Sequence, residues 1–136
     1  MPYKENEQEV GWNITAVSVV RKTKDVFLFN TGLQIQPPHR HATEIIPSPN
    51  SYHAYFDMSP STLILHREFN ETIVIPMRYH GWNDFTDEIG GLSSVPLEVK
   101  RAQALVGQPI AKILFRKLAD DAFDFHDVTD YSKETK

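Results

Sequence analysis

The sequence contains no cysteine, which removes disulfide staples, thiolate zinc sites and cysteine nucleophiles together. That usage fits an intracellular protein, as it also fits many secreted ones. No apolar run approaches the roughly 20 residues that a membrane span needs, so no membrane partner is expected. The opening Met1-Pro2-Tyr3-Lys4-Glu5-Asn6-Glu7 is polar and does not read as a secretory leader. A basic surplus is missing too. Fourteen Lys and Arg face 18 Asp and Glu, for a formal net charge of −4, so no nucleic-acid partner is expected. No internal repeat and no low-complexity tract is found. No segment reads as a long amphipathic helix, and residues 98–105 are the best, ambiguous, candidate.

What remains is an ordinary globular composition, 40% hydrophobic and 24% charged over 136 residues, enough for one domain with a real core. Short β-prone runs recur between proline and glycine punctuation. Residues 14–20 (Ile-Thr-Ala-Val-Ser-Val-Val), 26–29 (Val-Phe-Leu-Phe) and 43–46 (Thr-Glu-Ile-Ile) are rich in β-branched and aromatic residues. Residues 33–36 (Leu-Gln-Ile-Gln) alternate with period two, the pattern of a half-buried strand ended by Pro37-Pro38. Residues 52–56, 62–65, 72–75, 95–99 and 110–115 continue the series, with a looser glycine-containing stretch from 78 to 94. The expected fold is all-β, a jelly roll or distorted barrel with little helix. The expected layout is a flexible tail over 1–9, a β domain over 10–118 and an acidic tail over 119–136.

Several stretches, in order, resemble the trimeric deoxyuridine triphosphatase (dUTPase) family. Asn30-Thr31-Gly32-Leu33-Gln34-Ile35 is similar to the Thr-Gly-Leu strand before that family's second motif. Thr43-Glu44-Ile45-Ile46-Pro47-Ser48-Pro49-Asn50 stands where the family has a strand and Pro-Arg-Ser-Ser. Leu65-His66-Arg67-Glu68-Phe69-Asn70-Glu71-Thr72-Ile73 stands where it has Ile-Asp-x-Asp-Tyr-Arg-Gly-Glu-Ile. Gly107-Gln108-Pro109-Ile110-Ala111-Lys112 resembles Gly-Asp-Arg-Ile-Ala-Gln, and Gly11-Trp12-Asn13 resembles Gly-Tyr-Asp. The resemblance covers roughly residues 10–118 and implies the family's β fold and a homotrimer.

It also implies where a nucleotide cleft would lie, at Asn13, Ser48, Asn50, Phe69 and Lys112. The family's reaction needs a carboxylate to activate water and Mg²⁺ to neutralise phosphates. Here the base position is His66, the phosphate-holding arginine is Ser48 and the next serine is Pro49. The aspartate of the first motif is Asn13, the glutamine of the fourth is Lys112, and Asn70-Glu71 replace an arginine and a glycine. Phe69 keeps the ring that packs under the sugar. The glycine-rich closing arm is absent, since residues 119–136 contain no glycine and carry Asp120, Asp121, Asp124 and Asp127. Losses confined to the charged working groups point to a non-catalytic relative acting in assembly or protein interaction, without cofactor. A viral source, with the protein in a host cell's cytoplasm or nucleus or in the virion, goes with that reading. The alternatives are a nucleotide pyrophosphatase with a rebuilt site, with His66 or Glu68 as base, Lys112 and Arg67 on the phosphates and Mg²⁺, or a regulator that holds a nucleotide without cleaving it.

Other features read more plainly. His39 and His41, two residues apart, have the spacing that can open a metal site but read as a solvated turn, and no metal is expected. His53, His80 and His126 have no ligand spacing. The aromatic stretch around Trp82 reads as a loop pinned to the core, with an interface as the other reading. In the acidic tail, Phe123, Phe125 and Tyr131 lie among aspartates, a composition suited to docking on a partner or on a neighbouring copy.

Overall fold

The computed structural model describes residues 2–3, 11–84 and 95–118. The acidic tail, Gly90 and Gly91, and most of the first nine residues lie outside them. Among the described residues, eight strands form two antiparallel sheets. The first sheet contains β1 (Trp12–Thr15), β4 (His41–Pro47), β6 (Leu63–Leu65) and β8 (Pro109–Lys117), in the order β1-β8-β4-β6. The second contains β2 (Ser18–Arg21), β3 (Val26–Asn30), β5 (Phe56–Met58) and β7 (Val74–Tyr79), in the order β2-β3-β7-β5. Two helices complete the described chain, α1 (Pro49–His53) and α2 (Leu97–Leu105). The expected all-β class stands.

Period-two burial builds the core. Along β3, Phe27 and Phe29 point inward, opposite Met77 and Ile75 of β7. Phe56 meets both phenylalanine rings edge to face, at 5.6 and 5.5 Å between centroids, the arrangement that ring quadrupoles favour. From the other sheet Ile14, Ile45, Ile110 and Ile113 close the same core.

Five local expectations are corrected. Residues 14–20 are not one strand: the chain turns between β1 and β2, with Ala16 buried and Val17 exposed, so the two halves join different sheets. Residues 33–36 keep their alternation, since Leu33 and Ile35 pack on the core, but they form no ladder. Gly32 (φ 69°) and Pro37-Pro38 bend the segment away, leaving the Leu33 carbonyl a bond from the Ile73 amide and its amide a bond to the Thr31 hydroxyl. Residues 52–56 are not a strand from their start, because Ser48 caps α1 through the Asn50 amide and Pro49 presets its first turn. Residues 95–99 enter α2 rather than a strand, after Pro96, and the helix buries Arg101, Ala102 and Leu105 as an i, i+1, i+4 stripe. The ambiguous helical stretch 98–105 is therefore a helix. β7 also runs on through Arg78 and Tyr79, into the stretch expected to be loose.

Candidate functional site

The structure brings four of the five expected cleft residues together. A cleft of about 390 Å³ is lined by Asn13, Ser48, Asn50 and Lys112, with Pro49, Gln108 and Pro109. Register explains the gathering. Lys112 of β8 lies between Asn13 of β1 and Ile46 of β4, and Ser48 follows β4 directly. Side chains on paired residues share a face, so Asn13 and Lys112 project together.

The groups in this cleft largely serve the fold. Ser48 is buried and caps α1, and its carbonyl accepts from the Ser51 hydroxyl at 2.8 Å. Asn50 donates through Nδ2 to the Pro109 carbonyl at 2.9 Å, tying α1 to β8. Asn13 is buried, and its backbone exchanges two hydrogen bonds with Tyr3. Lys112 is half-buried, and among the described residues no carboxylate lies within ion-pair reach of it. The cleft therefore offers amides, one hydroxyl and one ammonium. Among the described residues no carboxylate lines it. Mg²⁺ is a hard cation held through carboxylate and phosphate oxygens, and this donor set does not fit it.

His66, Glu68 and Phe69 are elsewhere. They follow β6, which runs antiparallel to β4 with Leu65 opposite Thr43. The cleft lies beyond the other end of β4. From Thr43 to Ser48 is five residues at about 3.3 Å each, or about 17 Å. Phe69, the fifth expected cleft residue, thus does not join the other four within one chain. His66 and Glu68 are exposed, Phe69 is half-buried, and the two rings meet edge to face at 6.2 Å. The His66 Nδ1 accepts from the Glu68 amide at 3.1 Å, which ties the turn together.

A second cluster was not singled out in the sequence. Arg101, only 6% exposed, projects from α2 to Tyr79 at the end of β7. Its guanidinium donates to the Tyr79 hydroxyl at 2.7 Å and the Gly81 carbonyl at 3.3 Å, stacks 4.1 Å from the Tyr55 ring centroid and lies 3.9 Å from Asp84. Tyr55 donates to the same carboxylate. Trp82 packs edge to face on Tyr79, as expected of a loop pinned to the core. The partners lie 17 to 46 positions from Arg101 in sequence, so no local pattern marked them. At the start of β4, the His41 Nδ1 hydrogen-bonds the His39 carbonyl at 2.8 Å, which is a turn contact.

No family model matches the sequence, and no curated protein matches it. Among solved structures, the fold is similar to the crystal structure of a dUTPase from Streptococcus mutans. The two are 13% identical, with a TM-score of 0.61 over 91% of this chain and 88% of that one. At that identity the likeness establishes the fold. No described helix is long and apolar enough to cross a membrane.

Proposed function

We propose that this chain is a non-catalytic protein on a dUTPase-like fold, acting as an assembly or protein-interaction module. One observation carries the reading: among the described residues no carboxylate lines the cleft where the resemblance places phosphates, and Ser48 and Asn50 are occupied in capping and tying α1. Phosphoanhydride hydrolysis needs an oriented water and stabilised phosphate charge, and fold alone supplies neither. In this reading the protein uses no cofactor. The separation of His66 and Phe69 from the cleft supports association of copies, since one chain alone does not close both sets around one ligand. A homotrimer is the assembly the resemblance implies. A viral protein working inside a host cell or virion is the setting that fits a retained scaffold with discarded chemistry.

The test is turnover. With dUTP, each dNTP and Mg²⁺, purified protein releases no pyrophosphate above the uncatalysed rate, and light scattering gives a trimer mass. Turnover that His66→Ala or Glu68→Gln abolishes would establish the rebuilt pyrophosphatase instead. One observation favours a second reading, a regulator that holds a nucleotide: the Lys112 ammonium faces the cleft without a carboxylate partner among the described residues. Under that reading, nucleotide at a hundred times its Kd adds about 2.7 kcal/mol of stability. Lys112→Ala removes the gain.

A further inference from the structure

Trp12 is out of place for its face. It pairs with Ile113 and alternates with Ile14, and both of those are buried, yet Trp12 is 44% exposed. Side chains two apart along a strand share a face, so this ring stands on the core side of its sheet. It marks an end of the core that the described residues leave open. The opening is a groove of about 310 Å³ lined by Pro2, Trp12, Ile35, Ile113, Phe115 and two glutamines. Among the described residues no charged side chain lines it, and it shares none with the polar cleft. The groove exists because residues 33–36 pack Leu33 and Ile35 on the core without laddering onto the sheet.

Both walls of the groove lead to a basic end of the molecule. From Phe115, β8 runs on to Arg116 and Lys117, and from Ile35 the chain passes Pro37-Pro38 to Arg40. The two meet where the Leu118 amide donates to the Arg40 carbonyl at 2.7 Å. Arg67 leaves β6 toward the same end, since Leu65 pairs with Thr43 and the two strands are antiparallel. Of the carboxylates there, Glu44 is taken by Arg116, whose Nη2 reaches its two oxygens at 3.0 and 2.9 Å, and Glu68 is exposed. Among the described residues, Arg67 and Lys117 have no ion pair, and the Arg67 Nε is shut off from solvent without an acceptor. A charged donor left in that state is costly, so an acidic partner at this end is favoured.

The chain beyond Leu118 has the complementary chemistry. Residues 119–136 hold six acidic and two basic residues, so they carry the whole formal charge of −4. Phe123 and Phe125 are two apart, and in an extended segment they share a face with Asp124 on the other. Phe115 lies three residues before Leu118, about 10 Å, and Phe123 reaches up to about 17 Å beyond it. A chain that doubles back after Leu118 therefore lays Phe123 into the groove while its aspartates pass the basic end. Tethering holds such a segment at millimolar effective concentration beside its own groove.

We propose that residues 119–136 dock on their own chain, with Phe123 and Phe125 in the Trp12–Ile35–Phe115 groove and the aspartates facing Arg67 and Lys117. The test uses the full chain. It has no cysteine, so Thr129→Cys takes a single nitroxide, and NMR line broadening reports what lies near it. The Trp12 indole and the Gln34 and Gln36 side-chain amides are expected to broaden, and the Tyr52 amide, beyond the other end of β4, is not. Phe123→Ser with Phe125→Ser abolishes that broadening. Arg67→Gln lowers the ratio of docked to free tail about two- to fivefold, and about 0.5 M salt also lowers it. When spin-bearing copies without isotope are mixed with isotope-labelled copies without a spin, the groove stays sharp. Broadening in that mixture places the tail on a neighbouring copy and overturns the proposal. So does broadening that survives the double phenylalanine change, or none at Trp12. A nitroxide at Glu7→Cys that broadens the groove when one at position 129 does not gives the groove to residues 4–10, which overturns it too.

Discussion

Two polar regions of this molecule lie close in space and are built on opposite principles. The cleft of Asn13, Ser48, Asn50 and Lys112 is open and holds one ammonium with no opposite charge beside it among the described residues. The cluster of Arg101, Tyr79, Tyr55 and Asp84 is built around a buried guanidinium, which is met by a hydroxyl, a carbonyl, a ring and a carboxylate. A buried charge is tolerated only when such partners surround it, whereas a half-exposed lysine is solvated by water. In the second region, charge is part of what holds the structure together. In the first, it is spare, and the fold does not depend on it.

The comparison sharpens through substitutions. The largest effect is expected at Gly81, where an added Cβ would lie 2.6 Å from the Tyr79 hydroxyl and 2.7 Å from Arg101. Both side chains are buried and cannot swing away, so Gly81→Ala should cost about 1–3 kcal/mol of overpacking in urea denaturation. Ser48→Ala comes next. It removes the α1 cap and should cost about 1 kcal/mol by the same measurement. Lys112→Ala should be smallest, within about 0.5 kcal/mol of the parent, as for a surface change away from structural features. If Lys112→Ala destabilises more than Gly81→Ala, the contrast between an enclosed network and a spare cleft is broken.

The strands were legible where burial alternated on one face, as at Phe27 and Phe29 or Ile45. They were misread where local chemistry outweighed β propensity. At 52–56, a serine cap followed by proline starts a helix in residues that otherwise favour strand. At 33–36 the alternation is real and reports burial, yet alternation alone does not provide a partner strand. The site was legible in part for a similar reason. Asn13, Ser48, Asn50 and Lys112 come together because β1, β8 and β4 are neighbours, and the motif order already implied that neighbourhood. Phe69 was expected with them because the motif order carries no information about which end of β4 its loop reaches. The antiparallel register of β6 decides that.

Composition and periodicity were enough to determine a strand-rich, cysteine-free domain with a phenylalanine and isoleucine core, because apolar spacing along the chain fixes which face each segment must bury. Tertiary structure alone decided that Arg101 would be enclosed by Tyr55, Tyr79 and Asp84, and that His66 would stand far from Lys112. Those outcomes depend on strand order and on where α2 places Arg101 against the end of β7, and no short window of sequence contains both members of such a pair.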